Sequence, residues 1–181
     1  RKSTGKGLTK PELSILISYA KADLKERLNL EAISLDPYLS KIVETAFPQK
    51  LVDDYNGPVM NHKLRSEIVA TQLANDLVNH MGITFVNRLA ESTGATVVEV
   101  ARAYVAARDV FGLHDLWAKI EALDYQIPAK VQADMMSRLM RLVRRASRWF
   151  LRNRRTDMDV AAEVDAFKSS VDAVRSNLAQ W

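Results

Sequence analysis

From Thr9 to the end of the chain, apolar residues recur at spacings of three and four, and no stretch combines sustained two-residue alternation with an Asn-Gly or Asp-Gly turn. This periodicity puts one face of a helix against a core and leaves strands without a pattern to form on. It predicts an all-α protein, a multi-helix bundle with little or no sheet.

Start and stop signals divide the pattern into elements. Thr9 with Glu12 forms a capping box, Pro11 is tolerated in the first turn, and Leu13, Leu16, Ile17, Ala20, Leu24 and Leu28 follow, so the first helix runs to about Asn29. Asp36-Pro37 opens a short helix through Ala46, and Pro48 opens another that stops near Gly57. A longer helix covers residues 59–81 before Gly82. Phe85–Ser92 is brief and closes at Gly94, Thr96 with Glu99 caps a helix ending at Gly112, and Asp115–Leu123 is brief again. Pro128 begins a long helix to about Asn153, and Asp157 or Asp159 caps the last one towards Trp181.

The last helix has the most regular pattern. Val160, Val164, Phe167, Val171, Val174, Leu178 and Trp181 make a heptad seam that needs a partner. The nearest candidate is the preceding helix, through Val131, Met135, Leu139, Leu142, Val143, Ala146 and Phe150. The expected result is a C-terminal antiparallel pair of long helices, with an intermolecular partner as the alternative. "DYQIP", residues 124–128, is the weakest joint, and gives an N-terminal bundle at 1–127 and a helical hairpin at 128–181. One continuous helical domain, 1–181, is the other division.

Several functional classes are excluded or disfavoured. The chain has no cysteine, so disulfides, thiolate metal sites and cysteine nucleophiles are ruled out, and a reducing, cytoplasmic setting fits. No apolar run approaches the roughly 20 residues of a membrane span, and "RKSTGKGLTK" lacks a signal peptide's apolar core, so a soluble chain without a membrane partner is expected. The absence of an initial methionine points to a piece of a longer protein, with processing of the chain as the alternative. "STGKGLT" lacks the phosphate-loop spacing, and neither a Gly-x-Gly-x-x-Gly fingerprint nor a Gly-x-Ser-x-Gly elbow occurs. His62, His80 and His114 do not fall at zinc-motif spacing, so no metal site is expected. The acid pairs Asp53-Asp54 and Glu121/Asp124 sit at helix ends, where solvation accounts for them. No catalytic residue is assigned.

Two polar patterns are left. Residues 138–155 hold eight arginines and no acid, a run that accounts for the whole positive balance of the chain. Arg138, Arg141, Arg145, Arg148, Arg152 and Arg155 fall on one helical stripe, with Arg144 and Arg154 beside it and Trp149 interleaved. This stripe is a candidate interface or effector face. A solvated face, docking on an acidic surface of the same protein, and binding to a nucleic-acid backbone are the competing readings. Nucleic acid is disfavoured because neither a recognition motif nor an aromatic stacking platform accompanies the stripe. The second pattern lies in "EIVATQLANDLVNHMGITFVNRL", residues 67–89, where Gln72, Asn75 (or Asp76) and Asn79 recur among Val69, Leu73, Leu77 and Val78. Such amides form a candidate buried polar seam that fixes helix packing, with a ligand site as the minority reading.

The same stretch, extended to "EIVATQLANDLVNHMGITFVNRLAESTGA", together with "GLTKPELSILISYAK", "DPYL", "VARAYVAARDVFGLHDLWAKIEALD" and "RWFLRNRR", resembles the C-terminal region of the large bacterial NAD-specific glutamate dehydrogenases. The resemblance covers residues 1–155. It implies a parent enzyme that oxidatively deaminates L-glutamate to 2-oxoglutarate and ammonia, passing hydride to NAD. It also implies that the catalytic lysine and the NAD site belong to an upstream catalytic domain, so that this fragment holds no cofactor and is inactive alone. That upstream domain is the expected partner, and a homo-oligomer the expected assembly. The fragment's own role is then structural, oligomerising or regulatory, with a helical nucleic-acid-binding or protein-interaction module as the alternative.

Overall fold

A computed structural model describes residues 5, 7–154, 156 and 158–178. The described residues form α1 (Lys10–Leu30), two 3₁₀ segments (Ile33–Leu35 and Leu39–Ala46), α2 (Gln49–Met60), α3 (Arg65–Met81), α4 (Phe85–Thr93), α5 (Val97–Val110), α6 (Leu113–Glu121), α7 (Ala129–Asn153) and α8 (Val160–Leu178), with no strand among them. The protein is all-α. It divides into two compact units, Arg1–Phe85 and Val86–Trp181.

In the first unit α3 is the central element. Val69, Ala70, Leu73, Ala74, Leu77 and Val78 form a continuous buried stripe. α1 packs on it through Leu24 and Leu28, and the second 3₁₀ segment through Leu39 and Val43. Asp36 starts that segment as its sequence predicts, its Oδ1 accepting from the backbone N–H groups of Tyr38 at 2.9 Å and Leu39 at 3.0 Å. The segment is 3₁₀ rather than α. α2 also departs from expectation, because it passes Gly57 and ends at Met60. Tyr55 breaks the helical path with φ −135° and ψ 39°, so Pro58 lies just after a kink, where its missing N–H and its ring do least harm. α3 accordingly begins at Arg65 rather than near residue 59.

In the second unit α5 is the central element, and 11 of its 14 residues are buried. The Thr96 and Glu99 capping box forms as predicted: Glu99 N–H donates to Thr96 Oγ1 at 3.2 Å, and Thr96 N–H to Glu99 Oε2 at 2.7 Å. Alanines at 101, 103, 106 and 107 let neighbours approach α5 closely, and α6, α7 and α8 all pack on it. This decides where the two heptad seams go. α7 buries Val143, Ser147, Phe150 and Leu151, and α8 buries Val160 and Val164. The main packing surface of both long helices is α5. They touch each other through an aromatic cluster in which Phe167 meets Trp149 and Phe150 edge-on, at centroid distances of 5.5 and 5.9 Å. Towards its end the α8 seam emerges, with Val174 exposed; the Leu178 side chain and Trp181 lie outside the described residues. The 124–128 segment falls within this second unit, where Gln132 Nε2 donates to Ile120 O at 2.9 Å.

Candidate functional site

The arginine stripe is built by the length and regularity of α7. Pro128 sets its start, 25 residues run without an interior glycine or proline, and at about 100° per residue the inward Val143, Ser147 and Phe150 leave the opposite side to arginine. Arg138, Arg141, Arg145, Arg148 and Arg152 are all exposed, as are Arg144 and Arg154. Arg155 lies outside the described residues. One member and one neighbour of the stripe reach other elements: Arg148 Nη2 is 3.5 Å from Ser92 Oγ of α4, and Arg154 Nε is 3.5 Å from Glu163 Oε1 of α8. One edge of the stripe is apolar, because Val131, Met135 and Trp149 are exposed beside it.

Two cavities adjoin α7. One, of about 440 Å³, is lined by Ser92, Thr93, Arg152, Asn153, Arg154 and Thr156 with Leu151, a set of hydroxyls, an amide and guanidinium groups suited to an anion. The other, of about 210 Å³, lies among Phe111, Ala146, Trp149, Phe150, Phe167 and Val171 with Val110, and its walls are apolar. Among the described residues there is no strand leading through a glycine-rich turn to a helix, the unit on which a pyrophosphate rests.

The amide stripe of α3 is less enclosed than its sequence setting implies. Gln72 and Asn75 are half-buried and Asn79 is exposed. Asp76, on the same side, pairs with His80, whose Nδ1 is 2.8 Å from Asp76 Oδ1. A polar seam does exist one turn earlier, where sequence reading did not place it. Asn29 Nδ2 donates to Glu67 Oε1 at 2.5 Å, Ser66 Oγ donates to Asn29 Oδ1, Ser34 Oγ bonds Ser66 Oγ at 3.1 Å, and Lys25 Nζ lies 2.5 Å from Glu67 Oε2. This chain joins α1, the first 3₁₀ segment and α3. The Lys25 ammonium, by its hydrogen bond and then its charge, holds the Glu67 carboxyl below its ordinary range, with the Asn29 amide adding to the effect and partial desolvation opposing it.

Several other titratable groups have local structural partners. His62 Nδ1 accepts from Leu64 N–H at 3.1 Å, and His114 stacks edge-on against Trp117 at 5.8 Å. Among the described residues no three His, Asp or Glu side chains cluster to hold a metal. Arg108, buried in α5, forms a two-pronged pair with Asp109 at 2.7 and 3.1 Å. Sequence reading missed that pair because the two residues are neighbours, and helical spacing gives such neighbours no common face. Among the described residues no helix is long and apolar enough to cross a membrane.

Comparison with known proteins gives a consistent result. The family described as glutamate dehydrogenase, C-terminal, matches residues 5–181. The NAD-specific glutamate dehydrogenase of Pseudomonas aeruginosa is 53% identical over 174 residues, which is 96% of this chain. The enzyme of that name from Halomonas elongata is 48% identical over 98% of the chain, and that from Mycobacterium tuberculosis 36% identical over 100%. The chain spans about 11% of the length of each of these curated relatives.

Proposed function

Given that the chain belongs to the glutamate dehydrogenase C-terminal family, we propose that it is the C-terminal helical domain of a NAD-specific glutamate dehydrogenase, serving that enzyme as a structural and interaction module. The parent oxidatively deaminates L-glutamate to 2-oxoglutarate and ammonia, with NAD accepting the hydride. Catalytic residues and NAD belong to the parent outside this chain. The domain docks on the catalytic part or joins subunits of a cytoplasmic homo-oligomer. The observation that carries this reading is the placement of the arginines: one full side of α7 is turned outward while its other side is locked onto α5.

The arginine-lined cavity near Ser92 and Arg152 favours a regulatory variant of the same reading, in which an acidic metabolite binds there. Thermal shift with carboxylates, amino acids and nucleotides checks it, and no shift with any of them removes it. Nucleic acid binding through the stripe requires an affinity that falls steeply with salt, by a log–log slope of about −0.9 per phosphate contacted. Binding to DNA or RNA with that dependence would replace the protein-docking reading.

The decisive test compares NAD-dependent glutamate oxidation and assembly mass for the intact parent and for the parent lacking this domain. Retained chemistry with altered assembly or effector response is the expected result. Unchanged activity, assembly and regulation would refute the proposal.

A further inference from the structure

The first half of α1 is apolar on two opposite sides. Between Glu12 and Lys21 there is no charged residue. At about 100° per residue, Leu13, Ile17 and Ala20 continue the stripe that Leu24 and Leu28 bury, while Ile15 and Tyr19 point to the opposite side. The stripe is buried only in its second half: Leu24 is 5% and Leu28 0% exposed, whereas Ile15 is 56% and Tyr19 73% exposed, and Leu13, Leu16 and Ile17 are exposed as well. Ser14 and Ser18 lie between these two sides and interrupt neither, with Ser14 Oγ donating to Lys10 O at 3.0 Å and Ser18 Oγ to Ser14 O at 2.9 Å. Both hydroxyls are turned back onto the helix itself.

We infer that residues 13–20 of α1 insert into an apolar cleft formed by a part of the parent protein outside residues 1–181. Three observations choose this occupant. A helix that is apolar on opposite sides needs walls on both, and α1 of a second copy laid alongside covers one side only. The absence of charge from Leu13 to Ala20 calls for an uncharged partner surface, not an acidic or basic one. And this chain spans only about 11% of its relatives, so most of the protein able to form such a cleft lies elsewhere. The inference rests on the parent being the larger protein, and it is independent of what the arginine face of α7 does.

The test uses the full-length parent. Ile15→Cys, Tyr19→Cys and, as a control on the same helix, Glu26→Cys are labelled with a thiol reagent, and the rate at each site is read by peptide mass spectrometry. The expected result is labelling about tenfold or more slower at 15 and 19 than at 26, because access then requires local opening. Equal rates at the three sites would overturn the inference. A photo-cross-linking residue at position 19, already exposed within this chain and so harmless to its fold, identifies the occupant. Cross-links to peptides outside residues 1–181 support the cleft. Cross-links to α1 of another copy, to residues within 1–181, or to nothing refute it.

Discussion

α1 and α7 are long helices that turn large surfaces outward, and they do so with opposite chemistry. α7 is amphipathic in the ordinary sense, with Val143, Phe150 and Leu151 seated on α5 and arginines facing water. Its outer side is soluble whether or not anything binds it. The first half of α1 presents leucine, isoleucine and tyrosine with no charge among them, and full burial of such a side chain is worth roughly 1.5–3 kcal/mol, of which each of these forgoes a share. The arginine run draws the eye in the sequence, yet exposure of a charged face is physically cheap and so discriminates poorly between partners and solvent. Exposure of an uncharged apolar helix is costly, and it argues more strongly that something covers it.

The comparison breaks most easily at the inner sides, where effects are largest. Phe150→Ala and Leu28→Ala should each destabilise their unit by about 2–5 kcal/mol, read from denaturant unfolding. On the outer sides Arg145→Ala and Leu16→Ala should stay within about 0.5 kcal/mol in this chain alone. The two outer positions then separate in the full-length parent. Leu16→Ala becomes clearly destabilising there, while the effect of Arg145→Ala depends on salt if an acidic surface meets it. If Leu16→Ala stays silent in the parent, the contrast between the helices is lost.

The helix starts come next in size. Thr96→Ala should cost about 1 kcal/mol, because it removes the acceptor for Glu99 N–H at the head of a buried helix. Thr9→Ala on α1 should cost less. There the capping groups stand in an exposed first turn, where Thr9 Oγ1 donates to Glu12 Oε2 at 2.7 Å and water can replace what the substitution removes. Equal losses would mean that α1 depends on its exposed first turn as much as α5 does on its buried one.

Much of this was legible beforehand, for local reasons. Thr96 with Glu99, Pro128 and Asp36 each mark a helix start through groups within four residues, and the structure uses all three. Partners distant in sequence were not legible. The seam of α8 identified a face to be buried, but its main partner, α5, is a short helix rich in alanine, whose small side chains make it a floor for several helices and leave no heptad signature of their own. The amides show the same limit. Gln72, Asn75 and Asn79 stand out on a helical wheel, but which polar residue of α3 meets one on α1 depends on how far the two helices slide along each other. That offset brings Asn29 to Ser66 and Glu67. The family was legible because long strings of sequence carried it, and neither the arginine face nor the first half of α1 draws its role from that resemblance.

The smallest expected effect tests what fixes the anchored half of α1. Glu67 is held below its ordinary pKa chiefly by Lys25, so the folded protein favours its ionised form more than the unfolded chain does. The sign follows from linkage. The stabilisation is fully present above the unfolded glutamate value of about 4.3, and it is lost as pH falls through that value and then through the lowered folded one. Glu67→Gln keeps an oxygen to accept from Asn29 but removes the charge that Lys25 neutralises. It should therefore lower stability near neutrality and flatten the acid side of the profile, so that the two curves converge at the acid end, as measured by urea unfolding at a series of pH values from about 7 to about 3. Superimposable profiles for Glu67→Gln and the parent sequence would mean that the Lys25 pair does not hold α1 to α3 in solution, and that Leu24 and Leu28 alone fix the direction in which the bare half of α1 projects.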